Sequence, residues 1–195
     1  GSPVIAATWE TAELAKYASN AFLATKISFI NEIAAICDAV GADVREVADA
    51  MGLDPRIGRA FLNAGIGYGG SCLPKDVAAL IHTARDAGHE ALLLGAVAGV
   101  NDLLPSRTVT RLQEALGSLK GKRLALLGLA FKPETDDLRS APSITLAAAL
   151  QVEGAIVAAY DPVVASIATP NGVIQSQPSA LDALDGADAA LLVTE

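Results

Sequence analysis

The sequence predicts an all-helical first part followed by an α/β second part built on a parallel sheet. Three observations carry this reading. Trp9 to Val40 contains neither Pro nor Gly, and Phe22, Phe29, Ile33, Ile36 and Val40 recur in it at helical spacing. At Gly117-Ser118 the character changes, and Arg123–Leu127, Ala155–Tyr160 and Ala189–Val193 read as short apolar strands. Ser143–Val152 reads as a helix between the first two strands, and a helix-length crossover joins parallel neighbours.

Each element has local reasons. Apolar residues on the other faces of Trp9–Val40 suggest burial on several sides, and Gly41 suits its stop. Asp43 with Glu46 three residues on resembles a capping box for a helix through Met51, ended by Gly52. Asp54-Pro55 looks like an N-cap with Pro at the first helical position of another helix. Ala64–Ser71 is a glycine-dense loop, and Pro74–Ala87 is the next helix. Glu90–Leu104 continues helical until Pro105 breaks or restarts the pattern into Ser106–Leu116. Its most apolar stretch, Ala91–Val100, is too short to span a bilayer and reads as a buried helix. The domains are expected at 1–105 and 106–195. The last strand ends almost at Thr194-Glu195, so the second domain carries less sheet than a doubly wound fold needs and is expected to be truncated.

Composition narrows the function. The chain is 52% hydrophobic, which argues against disorder. A formal charge of −8 repels nucleic acid and anionic lipid, so neither is an expected partner. An anionic substrate would need a few placed cations. Cys37 and Cys72 sit in unlike contexts, no disulfide is expected, and a reduced cytoplasmic setting fits. His82 and His89 lack metal-ligand company, so no metal site is expected. Asp136 and Asp137 read as loop caps beside Arg139.

Gly65-Ile66-Gly67-Tyr68-Gly69-Gly70 formally matches G-x-G-x-x-G, but no strand precedes it and Pro74 places the helix start after Cys72. It reads as a loop that brings backbone close to a ligand, or as a plain turn between helices. Cys72 falls at or just before the start of the helix near Pro74. Helix amides and the added charge of Lys75 would favour a thiolate there, equipped for covalent catalysis. The bland alternative is a small packed residue, which is how Cys37 reads. Lys16 and Asn20, four apart, share one helix face. They suit either an oxyanion cradle or a snorkelling lysine beside a wet amide.

Thr11–Ala24 and Phe29–Ile33 resemble the central helical domain of the UDP-glucose 6-dehydrogenases. Phe61-Leu62-Asn63-Ala64-Gly65 with Gly67–Asp76 is similar to that family's catalytic segment. Leu127–Pro133 with Thr135–Arg139 resembles its C-terminal nucleotide-sugar domain. The resemblance implies a helical dimerisation domain followed by a Rossmann-like three-layer α/β domain. It also implies NAD-dependent oxidation of the C6 alcohol of UDP-glucose to UDP-glucuronate, with two NAD and a cysteine thiohemiacetal and thioester. By resemblance, Cys72 is the nucleophile, Lys16 and Asn20 hold the oxyanion, and Asp76 positions or activates water. Phe61, Leu62, Asn63, Ala64, Gly65 and Gly69 would line the sugar nucleotide, as would Lys16. Phe131 and Lys132 would meet it from the second domain, and Arg56 would reach a neighbouring subunit's ligand. Lys75 and Arg139 correspond to NAD contacts, and Trp9–Val40 to the homodimer core.

The resemblance leaves out the family's N-terminal NAD-binding domain: no strand–GxGxxG–helix is present, and this piece alone is expected to be inactive. Asp161, after the second strand, reads as a turn or at most a nucleotide contact. GDP-mannose 6-dehydrogenase is the alternative enzyme, and a non-catalytic dimerisation and nucleotide-sugar-binding module the alternative class.

Overall fold

The computed structural model describes residues 3–194. It divides into two compact units. The first holds residues up to Asn63 together with Cys72–Gly99, and the second holds Ala64–Ser71 with everything from Val100 onward.

The first unit is helical. Helix α1 spans Trp9–Val40, starting on Thr8, whose side chain accepts the Thr11 N–H, and ending at Gly41. Helix α2 spans Val44–Gly52, and its cap Asp43 accepts the Arg45 N–H. Helix α3 spans Leu73–Asp86. Helix α4 spans Leu92–Leu116 and contributes its residues through Gly99 here. One buried face of α1 is made of small groups, Ala21, Ala24 and Ser28, while Ile30 and Cys37 are buried on nearly the opposite side. Small groups let backbones approach, and the Ser28 hydroxyl reaches the Val97 carbonyl at 2.8 Å. Leu62 and Val77 complete this core.

The second unit contains the parallel sheet. Strands β1 (Arg123–Leu127), β2 (Ile156–Tyr160) and β5 (Ala189–Leu192) lie in the order β2-β1-β5, all parallel. Helix α5 (Pro142–Val152) connects β1 to β2. Leu124, Ala125 and Leu126 are fully buried, as a central parallel strand covered on both faces should be. An antiparallel hairpin, β3 (Ser166–Thr169) and β4 (Gly172–Gln175), and a short helix α6 (Ala180–Leu184) lie between β2 and β5. The central sheet runs to β5 near Thr194, and Glu195 lies outside the described residues. Because β2 and β5 lie on opposite sides of β1, the winding reverses at β1. In open α/β sheets such a switch point is where ligands bind, beyond the carboxyl ends of the strands.

Three expectations need correction. Asp54-Pro55 opens no helix: the Asp54 carboxylate accepts both the backbone and guanidinium N–H groups of Arg56, which closes a turn instead. Pro105 does not break the chain; it lies inside the continuous α4. Ala91–Val100 is not a buried helix, since only Val97 is buried and Leu92 and Leu93 face solvent. Helix α1 is buried on two sides, as expected, by Ala21, Ala24, Ser28 and Asn31 on one and by Ile30 and Cys37 nearly opposite, but not all round. Trp9, Leu14, Phe22, Phe29, Ile36 and Val40 are all exposed in the single chain. The hairpin and α6 are additional elements that the sequence pattern did not single out.

Candidate active site

Cys72 occupies the N-cap of α3, with its side chain exposed. No side chain caps this helix, and its carbonyl accepts the Asp76 N–H at 2.9 Å as the first turn begins. One turn on, Asp76 points inward and is 0% exposed. A buried carboxylate must be paired. The Lys16 ammonium and the Asn20 amide, one turn apart on α1, both donate to Asp76 Oδ2, the amide at 2.6 Å. The Lys75 ammonium donates to Oδ1 at 2.7 Å. The four-residue spacing of Lys16 and Asn20 thus has a concrete consequence: both reach one oxygen.

Burial pushes the Asp76 carboxyl up, but the hydrogen bonds from Lys16, Lys75 and Asn20 outweigh it and hold it well below the usual carboxylate range. Asp76 is therefore an anion with its oxygens occupied, and a poor proton acceptor. The Asp76 hydrogen bond also raises Lys75, against the cost of desolvation, with smaller contributions from Tyr17 and the Cys72 sulfur. The Tyr17 ring lies beneath both ammonium groups, 5.0 Å from Lys16 Nζ and 5.5 Å from Lys75 Nζ. Two ammonium groups face one carboxylate, so a net positive charge is left near the thiol. That charge suits a thiolate or an oxyanion.

Other expected residues of this unit are spread along Asp54–Asn63. Arg56 is exposed and paired to Asp54. Phe61 is exposed with φ +65, a region bulky residues rarely adopt. Leu62 is a core side chain, and Asn63 accepts from Arg59.

In the second unit, Phe131 and Lys132 leave the carboxyl end of β1, at the switch point. Lys132 Nζ lies 5.3 Å from the Phe131 ring. Gly69 and Gly70 pack against the following loop: Gly70 N–H donates to the Arg139 carbonyl at 2.8 Å. A Cβ at Gly69 would lie 2.1 Å from the Ser140 carbonyl, and one at Gly70 2.5 Å from the Phe131 ring. Gly65 has nothing within 4 Å of such a Cβ. Ala64 is partly exposed. Arg139 is exposed and forks onto Asp137, whose carboxyl is held down at about 2 by that guanidinium. Asp161 is buried and accepts four backbone N–H groups, from Leu129, Ala130, Val163 and Val164. It is a structural anchor, with no lone pair left over for a ribose. Tyr68 is also buried, and desolvation, aided by the Asp102 charge, pushes its phenol up to about 12. Sequence reasoning missed Asn101, whose amide holds the Tyr68 backbone. An asparagine in an apolar helix four residues ahead of a proline was the available signal.

Among the described residues no group of three His, Cys, Asp or Glu side chains could hold a metal, and no helix is long and apolar enough to cross a membrane.

A helical unit with an exposed cysteine at a helix N-terminus, together with a parallel-sheet unit whose strand order reverses at β1, defines a class: two-part proteins that pair a helical domain with an α/β fold of the nucleotide-binding type. The particular member of that class follows from comparison. The UDP-glucose/GDP-mannose dehydrogenase family's central domain matches residues 10–103, and its UDP binding domain matches residues 125–195. The chain belongs to this family. It is 51% identical to UDP-glucose 6-dehydrogenase AglM of Haloferax volcanii, over 99% of this chain and 45% of that protein. It is 49% identical to UDP-glucose 6-dehydrogenase TuaD of Bacillus subtilis, over 100% of this chain and 42% of that protein. The solved UDP-glucose dehydrogenase of Pyrobaculum islandicum is similar, with a TM-score of 0.91 and 38% identity, covering 100% of this chain and 45% of that one. The chain thus spans less than half the length of these relatives.

Proposed function

We propose that the protein carrying this chain oxidises the C6 alcohol of UDP-glucose to the carboxylate of UDP-glucuronate, with Cys72 as the nucleophile and NAD as oxidant. The observation that supports this best is the cluster on α3: a thiol at the helix N-terminus, one turn from a buried carboxylate that gathers Lys16, Asn20 and Lys75.

The chemistry has four steps. The alcohol loses a hydride from carbon and a proton from oxygen, giving the aldehyde. The Cys72 sulfur then bonds to the aldehyde carbon, and the oxygen takes up a proton to give a thiohemiacetal. Loss of a second hydride from that carbon, with the hydroxyl proton, leaves a thioester. Water then adds, the carbon–sulfur bond breaks, and the thiol and the carboxylate are released. Lys16 and Asn20 stabilise oxyanion character at C6. Asp76, anionic and filled with donors, orients these groups; taking a proton from water is not its role.

NAD, when bound, would supply the oxidising power, with one hydride passing to each of two NAD molecules in turn. Lys75 and Arg139, exposed cations, fit contacts to its phosphates. The β1–loop junction does not fit a dinucleotide fingerprint, because Asp161 already holds the Leu129 and Ala130 amides. In this proposal the main NAD fold lies in the part of the relatives that this chain does not span. Phe131 and Lys132 meet the nucleotide sugar, with Phe61–Gly65 and Gly69 along it and Arg56 serving a neighbouring subunit. The exposed stripe of α1 forms a homodimer.

The full-length protein should form two NADH per UDP-glucose, and Cys72→Ala should abolish the second oxidation. Turnover of GDP-mannose alone would change the substrate and keep the mechanism. No NADH with either sugar would leave a binding module.

A further inference from the structure

Within the second unit, Asn101 holds the segment that leads into Cys72. Its Oδ1 accepts the Tyr68 N–H at 2.8 Å, and its Nδ2 donates to the Tyr68 carbonyl at 3.3 Å. One carboxamide therefore satisfies both backbone groups of a buried residue, as a neighbouring strand would. The fit is close. Gly67 has φ +103, and a Cβ there would lie 2.5 Å from Asn101 Oδ1. Beyond Tyr68 the chain is locked again, by the Gly70–Arg139 hydrogen bond and by the contacts that exclude a side chain at Gly69. Pro105 lies four residues after Asn101 and has no N–H to give the Asn101 carbonyl, so α4 lacks one ladder bond where the clamp sits.

We propose that Asn101 is a positioning residue for the thiol: its two-point hold on Tyr68 fixes the path of Gly69–Ser71 and so the placement of Cys72. Asn101 acts through Tyr68 and touches no reacting atom. The proposal rests on Cys72 being the nucleophile. Capture of an aldehyde needs the sulfur within near-attack distance of the carbon, and a displacement near 1 Å costs roughly 100-fold in rate. A loosened loop should therefore harm aldehyde capture more than it harms the first oxidation or nucleotide-sugar binding.

The test uses the full-length enzyme with Asn101→Ala and Asn101→Asp, following kcat, KM for UDP-glucose and NADH formed per sugar, with a carbonyl-trapping amine present. Asn101→Asp keeps the acceptor for Tyr68 N–H and loses the donor to its carbonyl. In Asn101→Ala, kcat should fall roughly 10- to 100-fold. KM should stay within about twofold, and NADH per sugar should drop from two towards one as aldehyde is trapped. Asn101→Asp should lie between Asn101→Ala and wild type, and it also serves if Asn101→Ala does not fold. Two NADH per sugar and no trapped aldehyde in either folded variant, with activity lost only in proportion to unfolded protein, would overturn the positioning role. If wild type itself gave other than two NADH, or Cys72→Ser retained them, the failure would lie in the nucleophile assignment, which those control arms read separately.

Discussion

Asp76 carries a charge in a place where water does not reach, and its three donors are what make that state tolerable. The sign of its linkage follows: the folded carboxyl sits below its unfolded value, so its stabilisation is fully present above that value, near pH 3.9, and is lost as pH falls through the folded one. Asp76→Asn should remove this acid-side dependence. It would also leave Lys16 and Lys75 facing each other across a neutral amide. Breaking a buried pair costs more than breaking a surface one, but both lysines are more than half exposed, with side chains 53% and 62% accessible. The cost should accordingly be about 1–3 kcal/mol at pH 7, below the full buried-pair value, and should shrink below about pH 3, measured by urea unfolding at both pH values. Phe61 gives the opposite case. Its φ of +65 is strained for an aromatic residue, so Phe61→Gly should stabilise the protein by about 1 kcal/mol. If Phe61 lines the sugar nucleotide as proposed, KM should rise in the same variant; a variant with unchanged KM would remove Phe61 from the ligand.

Between residue and fold lie the loops that β1 and β2 feed. Asp161 ties both together, since each of its oxygens accepts from backbone on its own side: Oδ2 from Leu129 and Ala130, Oδ1 from Val163 and Val164. Asn in its place offers one acceptor and one donor, leaving two buried N–H groups without partners. Asp161→Asn should therefore cost about 2–4 kcal/mol, read as a lower apparent melting temperature. Glycine positions separate packing from ligand contact in the same way. Gly69→Ala meets the Ser140 carbonyl and should destabilise the second unit, whereas Gly65→Ala meets nothing and should melt like wild type. A KM change in Gly65→Ala would then report on ligand rather than fold. These elements also show what a sequence discloses. Strands β1, β2 and β5 were legible because each is a short continuous apolar run, although only β1 is buried along its length. The hairpin was not, because Ser166–Thr169 and Gly172–Gln175 are four residues each and mix polar with apolar groups. Pro105 misled because a proline costs one ladder bond, which α4 absorbs without ending. Lys16, Asn20, Cys72 and Asp76 were recognisable as residues. That Asp76 would be the buried hub of the others was not, since burial arises only when α1 packs on α3. Asn101 stood out only as a polar residue in an apolar helix, and its role was not legible because its partner lies 33 positions away.

At the scale of the whole molecule, the single chain leaves an apolar surface open along α1. Phe22, Phe29 and Ile36 are seven residues apart in turn, so they form one stripe along α1, and they are 66%, 44% and 53% exposed. Leu14 and Val40 extend this stripe along the helix, while Trp9 is exposed on another face. An exposed apolar stripe of this kind on a helix of 32 residues is what the proposed homodimer would cover. A two-fold pairing of α1 with its copy would cover it, since the same stripe would serve both partners. Stable pairing needs roughly 1,200–2,000 Å² of total buried surface, within reach of two such helices with their neighbours. Phe29→Glu places a charge in the middle of the stripe and, if the pairing is right, opposite its own copy or other apolar groups. The full-length variant should run as a monomer by light scattering at micromolar concentration, while wild type runs as a dimer. Because Phe29 is already solvent-exposed in the isolated chain, the monomer should keep its helical circular dichroism. A dimer that survives Phe29→Glu, and also Phe22→Glu, would put the interface on another face and leave the stripe to a different partner.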